Sequence, residues 1–338
     1  MKDNLAYAGV QDNAASIDEQ EPPATPHPEF LLDLRHGLAR QQKSISPKYF
    51  YDAHGSNLFD RICLLPEYYP TRTELAILHR HAREMALHIG PHAEIMEFGA
   101  GSMQKVRVLL DALDQPQRYI PIDISGEHLA DAAEKMRQAY PRLHVEPLVA
   151  DYTQDLVLPP DVPPEGRRVG FFPGSTLGNF EPLDALRFMR MCARTLQGGA
   201  LILGADLVKH PDMLHAAYND SQGVTAEFNR NILVRANREL GADFNLEHFA
   251  HSAFYNAPYQ RIEMHLMSTC RQTVHVGSTA YSFAPGETLH TENSYKFTVD
   301  GLRQLAQRAG FTPGQHWTDP DHKFCLLWLD APATRSHL

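Results

Sequence analysis

Cysteine is scarce in this chain: Cys63, Cys192, Cys270 and Cys325 are scattered through 338 residues, and no CxxC pair occurs. Such spacing supplies neither a zinc cage nor a disulfide framework, so these are expected to be buried thiols. Long apolar runs are missing too. No segment approaches the roughly eighteen apolar residues that span a bilayer, and the N-terminus lacks a basic region followed by an apolar core and a small-residue cleavage site. No membrane partner is expected, and the cytoplasm is the default location. Positive charge is also short, with 31 Lys and Arg against 41 Asp and Glu and a net charge of −10. An acidic chain without a basic run is repelled by a phosphate backbone, so no nucleic acid is expected as a partner. There are 19 histidines but no HExxH, and His79 and His81 lie two apart, which points them away from each other on a helix. No metal is expected on that spacing. With 43% hydrophobic residues the chain can bury the core of one large domain or two coupled ones.

What is present is most informative at Glu94-Ile-Met-Glu-Phe-Gly-Ala-Gly-Ser-Met-Gln-Lys105, followed by Tyr119-Ile-Pro-Ile-Asp-Ile-Ser125. An apolar strand running into a glycine turn, then a second strand ending in an acid, is how a doubly wound sheet holds a nucleoside. The glycines let backbone N–H groups approach, and the acid accepts from ribose hydroxyls. A dinucleotide fingerprint needs a third glycine so that a helix N-terminus can receive a pyrophosphate, and here Met103-Gln104 stand in its place. S-adenosylmethionine (SAM), whose charged groups are an amino acid and a sulfonium, is therefore the favoured cofactor. Val145-Glu-Pro-Leu-Val-Ala-Asp-Tyr152 reads as a third strand whose Asp-Tyr end can meet an adenine edge and face.

The rhythm of the middle of the chain agrees. Residues 94–98, 118–122, 145–149, 168–173 and 200–205 read as strands, with helices near 103–114, 126–139 and 182–196. Alternating strand and helix implies a parallel sheet with right-handed crossovers and ligands at the carboxyl ends of the strands. Gly99 and Gly101, Asp123, Asp151, and Gly174-Ser-Thr-Leu-Gly-Asn179 all fall at such ends. Ahead of this block, residues 1–27 are proline-rich and poor in large apolar side chains, which predicts a flexible tail. Helical patterns follow from Pro28 and over 58–64. Residues 66–72 are expected to be irregular because prolines bracket them, with a long helix from Thr73 to Ile89. Beyond the fifth strand, 207–246 is helical in pattern, and 261–267 with 272–276 alternates like an antiparallel pair. This looks like an insertion building a substrate wall. A helix at 298–309 and a hairpin from 311–317 and 323–329 return to the core.

Five segments together resemble one family: Tyr49-Phe-Tyr-Asp-Ala-His-Gly-Ser-Asn-Leu-Phe-Asp60, Leu65-Pro-Glu-Tyr-Tyr-Pro-Thr-Arg-Thr-Glu74, Gly174-Ser-Thr-Leu-Gly-Asn-Phe180, Ala226-Glu-Phe-Asn-Arg-Asn-Ile232 and Glu292-Asn-Ser-Tyr-Lys-Phe297. They resemble the histidine-specific, SAM-dependent Nα-methyltransferases of ergothioneine biosynthesis, which trimethylate L-histidine to hercynine, from about residue 30 to 330. The resemblance implies an α/β class I methyltransferase: a Rossmann-like, seven-stranded, mostly parallel sheet with an inserted α+β substrate domain. The SAM-binding core would be 73–208 and 297–330, the substrate domain 28–72 and 209–296, and the protein a monomer. It further implies that Gly99, Lys105, Asp123, Asp151 and Tyr152 hold SAM, with Lys105 at its amino-acid end and Asp151 and Tyr152 at the adenine. For L-histidine, Tyr68 and Tyr218 would take the carboxylate, Asn179 would sit between carboxylate and amine, and Tyr51 near the amine. Glu292 and Ser294 would grip the imidazole, with Met264 beside the ring. Ala100, Tyr152 and Asn293 depart from relatives at variable positions.

Taken singly, these residues have ordinary explanations. Tyr68 can be a packed aromatic, Asn179 a left-handed turn residue, Lys105 a solvated helix face, Met264 strand core and Glu292 a surface carboxylate. Their joint presence favours a site. Three rivals remain: a methyltransferase for another small amine, a SAM-binding protein without turnover, and a nicotinamide oxidoreductase. Calorimetry separates them by cofactor. Binding heat is expected with SAM and its demethylated product and none with NAD; preference for NAD overturns the cofactor assignment.

Overall fold

The computed structural model describes residues 28–333 apart from 102, 155, 157 and 159–165; the expected tail, 1–27, lies outside the described residues. The chain begins with helix α1 (Pro28–Leu38), the short strand β1 (Lys43–Ser44), α2 (Ala53–Cys63) and α3 (Tyr69–Ile89). Asp52 caps α2 by accepting the Gly55 N–H at 2.8 Å, satisfying one of the amides left free at a helix start. The 66–72 segment is not wholly irregular, because α3 starts at Tyr69. Pro70 falls in its first turn, where no N–H is needed, so proline starts the helix instead of breaking it.

The alternating block follows: β2 (Glu94–Phe98), α4 (Gln104–Leu110), β3 (Arg118–Asp123), α5 (Gly126–Ala139), β4 (His144–Val145), β5 (Leu148–Val149), β6 (Arg168–Phe172), α6 (Pro182–Thr195) and β7 (Ala200–Asp206). The expected strand at 145–149 is broken into β4 and β5, both parallel to β3. Pro147 lies between them and has no N–H to give the ladder. An inserted block comprises α7 (Pro211–Tyr218), α8 (Val224–Leu240), β8 (Phe249–Asn256), β9 (Arg261–Ser268), β10 (Gln272–Val276), β11 (Thr279–Phe283) and β12 (Thr288–Tyr295). Helix α9 (Val299–Arg308), β13 (Thr312–Thr318) and β14 (Phe324–Asp330) complete the chain.

Among the described residues the central sheet runs β13-β14-β7-β6-β2-β3, with β4 and β5 sharing the last edge, giving seven strand positions. The strands are parallel from β7 to that edge, and β14 runs antiparallel to β7 and β13. Successive side chains point to opposite faces of a strand, and here both sets are apolar. Ile95, Tyr119, Ile202 and Leu326 face α3, α4 and α5, whereas Met96, Ile120, Leu203 and Leu327 face α6 and α9. The result is a three-layer sandwich whose strand order reverses beside β2, where a crevice opens at the strand ends.

The inserted block forms a second sheet, β1-β12-β9-β8, over an apolar cluster that includes Phe30, Phe50, Leu58, Phe228, Ile232 and Leu266. The expected pairing of 261–267 with 272–276 does not occur. Both edges of β9 are occupied, by β8 and β12, so β10 folds on β11 through a tight turn at Gly277, φ 62°. Sequence patterning missed β12 because Thr288-Leu-His-Thr-Glu-Asn-Ser-Tyr295 is polar enough to read as loop, yet Thr291 through Ser294 are buried.

Strand β12 continues into the core. The Phe297 N–H donates to the Asp206 carbonyl at 2.9 Å and the Val208 N–H to the Phe297 carbonyl at 2.8 Å, which joins the end of β12 to the end of β7. The turn after β6 packs on the same strand so closely that a Cβ on Gly178 would lie 2.7 Å from the Tyr295 carbonyl oxygen. Gly178→Ala is expected to destabilise the fold by about 1–3 kcal/mol, the usual cost of overpacking. Urea unfolding measures this; an unchanged midpoint would show that the contact is not tight.

Candidate active site

Between the carboxyl ends of the core strands and the inserted sheet lies a cavity of about 950 Å³. Its core wall carries Gly99, Asp123, Asp151 and Tyr152, and its opposite wall Tyr51, Tyr68, Tyr218, Met264, Glu292 and Ser294, with Asn179 between. Residues from distant parts of the chain thus share one space. Lys105 differs: its Nζ is 2.6 Å from Glu74 Oε2, behind the wall. Glu74 is fully buried and also accepts the Gly174 N–H at 3.0 Å, and a Cβ on Gly174 would lie 3.3 Å from Lys105 Nζ. Lys105 therefore lies one glycine away from the cavity, with its charge already paired.

The core wall has the features of a nucleoside cradle. Gly99 has φ 73°, a conformation that favours glycine, and a Cβ there would meet the Tyr152 hydroxyl at an ordinary contact distance of 3.4 Å. Asp123 Oδ1 accepts the Ser125 N–H at 2.8 Å. Burial raises the Asp123 carboxyl above its ordinary pKa, opposed by that N–H. Asp151 Oδ1 accepts from Thr153 N and Oγ1 at 2.9 and 2.6 Å, which fixes the carboxylate at the strand end. Tyr152 packs edge-on against Phe98 and Phe172, and burial pushes its phenol up. A glycine turn, a carboxylate and a fixed aromatic at three successive strand ends fit SAM.

The other wall is aromatic and polar. Tyr51 packs edge-on against Phe59 and Phe228, and Tyr68 against Phe59 and Tyr218. Burial raises the Tyr51 and Tyr68 phenols well above the usual value, so both remain neutral hydroxyls. Glu292 and Ser294 are two apart on β12 and share a face. A register shift between His290 and Glu292 leaves Thr291 as the extra residue, and Glu292 stands opposite Met264. Thr291 Oγ1 donates to Asn229 Oδ1 at 2.7 Å, anchoring the irregularity that aims the following side chains. Asn179 Nδ2 donates to Glu292 Oε2 at 3.4 Å, and the Tyr218 hydroxyl donates to Ser294 Oγ at 2.8 Å. The residues of the turn with positive φ are Gly174, 80°, and Ser175, 61°, rather than Asn179.

Lys296, Asp206 and Tyr69, to which no motif gave a role, are buried at this wall, and the first two line the cavity. Lys296 Nζ is 2.9 Å from Asp206 Oδ2, and the Tyr69 hydroxyl donates to the same oxygen at 2.7 Å. Asp206 ends β7, so the strand-end rule that selected Asp123 and Asp151 could have found it. Linear motifs also overlooked Glu263, His265 and His290, whose donor atoms lie within 4.8 Å of one another through pairing of β9 with β12. Arg261 Nη2 lies 2.7 Å from Glu263 Oε1, supplying positive charge there.

A seven-position sheet with one reversed strand, and a glycine turn and two acids at its strand ends, define a class I SAM-dependent methyltransferase. The chain belongs to the family of histidine-specific, SAM-dependent methyltransferases, whose model matches residues 30–331. It is 42% identical to a histidine N-alpha-methyltransferase of Mycolicibacterium smegmatis over 87% of this chain and 92% of that one. Identity to the histidine N-alpha-methyltransferase of Mycobacterium tuberculosis is 39%, over 89% and 94% respectively. An ergothioneine biosynthesis protein 1 of Neurospora crassa is 30% identical over 79% of this chain, which spans 31% of that longer protein.

Burial raises the Glu292 carboxyl from 4.5 to about 8, opposed by the charge of Lys296. Between those values the folded chain keeps a proton that the unfolded chain has lost, so this group's contribution to stability falls as pH rises from 4.5 to about 8. Glu292→Gln removes the titration. Its thermal midpoint relative to the unaltered chain is expected to rise by a few degrees between about pH 5 and about pH 9. A difference independent of pH would contradict the burial effect.

Proposed function

We propose that this chain catalyses the SAM-dependent Nα-trimethylation of L-histidine to hercynine, the first step of ergothioneine biosynthesis. The observation that carries the reading is the placing of Glu292 and Ser294 on one face of β12, across a shared cavity from the glycine turn. Residues 28–72 and 209–296 act in this reading as the substrate domain over a cofactor core of 73–208 and 297–330. The reaction is assigned to a cytoplasmic monomer and to residues working without a metal.

SAM supplies a methyl group carried on a positively charged sulfonium. Gly99, Asp123, Asp151 and Tyr152 would hold it, with Lys105 toward its amino-acid end. The substrate amine must arrive neutral, since its lone pair forms the new N–C bond as the S–C bond breaks and the positive charge passes to nitrogen. Each of the first two transfers releases a proton from nitrogen, and the third leaves a quaternary ammonium with none to lose. Tyr51 and Asn179 suit the orientation of such an amine because neither carries a charge that would pin it as ammonium. Each pKa unit of stabilised ammonium costs about 1.4 kcal/mol of available nucleophile. Fixed geometry is the main source of rate, removing roughly 7–11 kcal/mol in favourable cases.

The Tyr68 hydroxyl donates to the substrate carboxylate, with Tyr218 beside it. Glu292 accepts a ring N–H while Ser294 meets the other ring nitrogen, and Met264 packs beside the ring. A matched donor and acceptor select imidazole over a plain aromatic ring, because other side chains leave buried polar groups unpaired.

Incubating the protein with SAM and each amino acid, then weighing products by mass spectrometry, is expected to show three added methyl groups on histidine. Methylation of another amine with histidine untouched would overturn the specificity. Glu292→Ala is expected to lower kcat/KM for histidine by about a hundredfold, as for a hydrogen bond to a charged group, with SAM affinity nearly unchanged. Equal losses of both would remove Glu292 from the ring site.

A further inference from the structure

We propose that Lys296 is a positioning residue that, together with Tyr218, makes the Ser294 hydroxyl a donor toward the substrate, so that the pocket takes a neutral ring bearing a pyridine-type nitrogen. The inference rests on the histidine reading above. An ammonium has three protons and no lone pair. Those of Lys296 have three partners: Asp206 Oδ2 at 2.9 Å, Ser294 Oγ at 2.8 Å and the Tyr218 hydroxyl oxygen at 3.1 Å. Both hydroxyls accept from a group that can never accept in return. Tyr218 gives its proton to Ser294 Oγ at 2.8 Å, so Ser294 accepts twice and its own proton is left for the cavity it lines.

A serine that donates needs an acceptor opposite it. A neutral imidazole offers one acceptor nitrogen and one N–H, and the N–H is matched by Glu292; an imidazolium offers two donors and no acceptor. The latter would place proton against proton at Ser294 and bring a second positive charge near Lys296. Lys296 thus chooses both the protonation state and the tautomer of the bound ring through Ser294, its own three protons being taken by Asp206, Ser294 and Tyr218. The lysine stays charged in its site: burial alone would lower it, yet Asp206 and Tyr218 hold it above the ordinary lysine value. Sequence motifs gave Lys296 no role, because its partners come from β7, α7 and β12.

The test is a double-mutant cycle in the full chain, with Lys296→Met and Ser294→Ala alone and combined. Methionine approximates the length of the lysine stem, and Asp206 keeps Tyr69 at 2.7 Å and Lys209 at 2.5 Å as partners. Lys296→Met is expected to raise the histidine KM by about tenfold or more, with kcat and affinity for the demethylated cofactor within about twofold. The combined variant is expected to lose at least about threefold less than the product of the single losses. Single losses that multiply fully, or cofactor affinity that falls in step with histidine, overturn the inference. Should Lys296→Met not fold, Lys296→Gln is put through the same cycle under the same criteria. Failure of the unaltered chain to methylate histidine overturns the functional reading and this inference together, whereas turnover with independent losses overturns the inference alone.

Discussion

An ion pair closed off from solvent joins the two sheets of this enzyme. Lys296 and Asp206 each expose about 1% of their side chains, and they sit where β12 runs into the end of β7. A buried pair of charges is tolerable only when its remaining hydrogen-bonding groups are satisfied. Here Tyr69 and Lys209 complete the carboxylate, and Ser294 and Tyr218 complete the ammonium. The pair therefore belongs to the fold and to the pocket at once. It holds the inserted sheet over the strand ends and carries a positive charge to the wall that faces the substrate.

That arrangement explains why so polar a strand lies in so apolar a setting. A surface strand of the composition of β12 would have no reason to be buried, and an isolated Glu292 would be costly there. Its carboxyl meets the cost by holding a proton more tightly than an exposed one, burial raising it to about 8. The aromatic side chains around it extend the same logic. Tyr51 and Tyr68 are raised by burial, so they offer hydroxyls without charge, which suits an amine that must stay neutral and a carboxylate that needs donors.

Much of the core was legible in order along the chain. Strand β2, helix α5 and the closing hairpin follow from local pattern, because alternating apolar side chains and short turns determine their own conformation. The glycine turn and the acids at 123 and 151 were legible for the same reason, since strand ends in a parallel sheet meet in one crevice. Local rules failed where two of them competed. Pro70 read as a breaker but serves as a helix start, and Pro147 split a strand that looked continuous.

The sequence by itself determined the class of cofactor and, through its family segments, the expected acceptor. Tertiary structure alone decided which side chains speak to one another. Lys105 answers to Glu74 behind the cavity wall, and Glu263, His265 and His290 converge through strand pairing that no linear spacing announces. Lys296 reaches two hydroxyls and a carboxylate because three separate elements meet at the end of β7. Periodicity in a chain reports which way a residue faces in its own helix or strand, whereas Ser294 meets Tyr218, 76 residues away in the sequence, at a distance only the fold makes short.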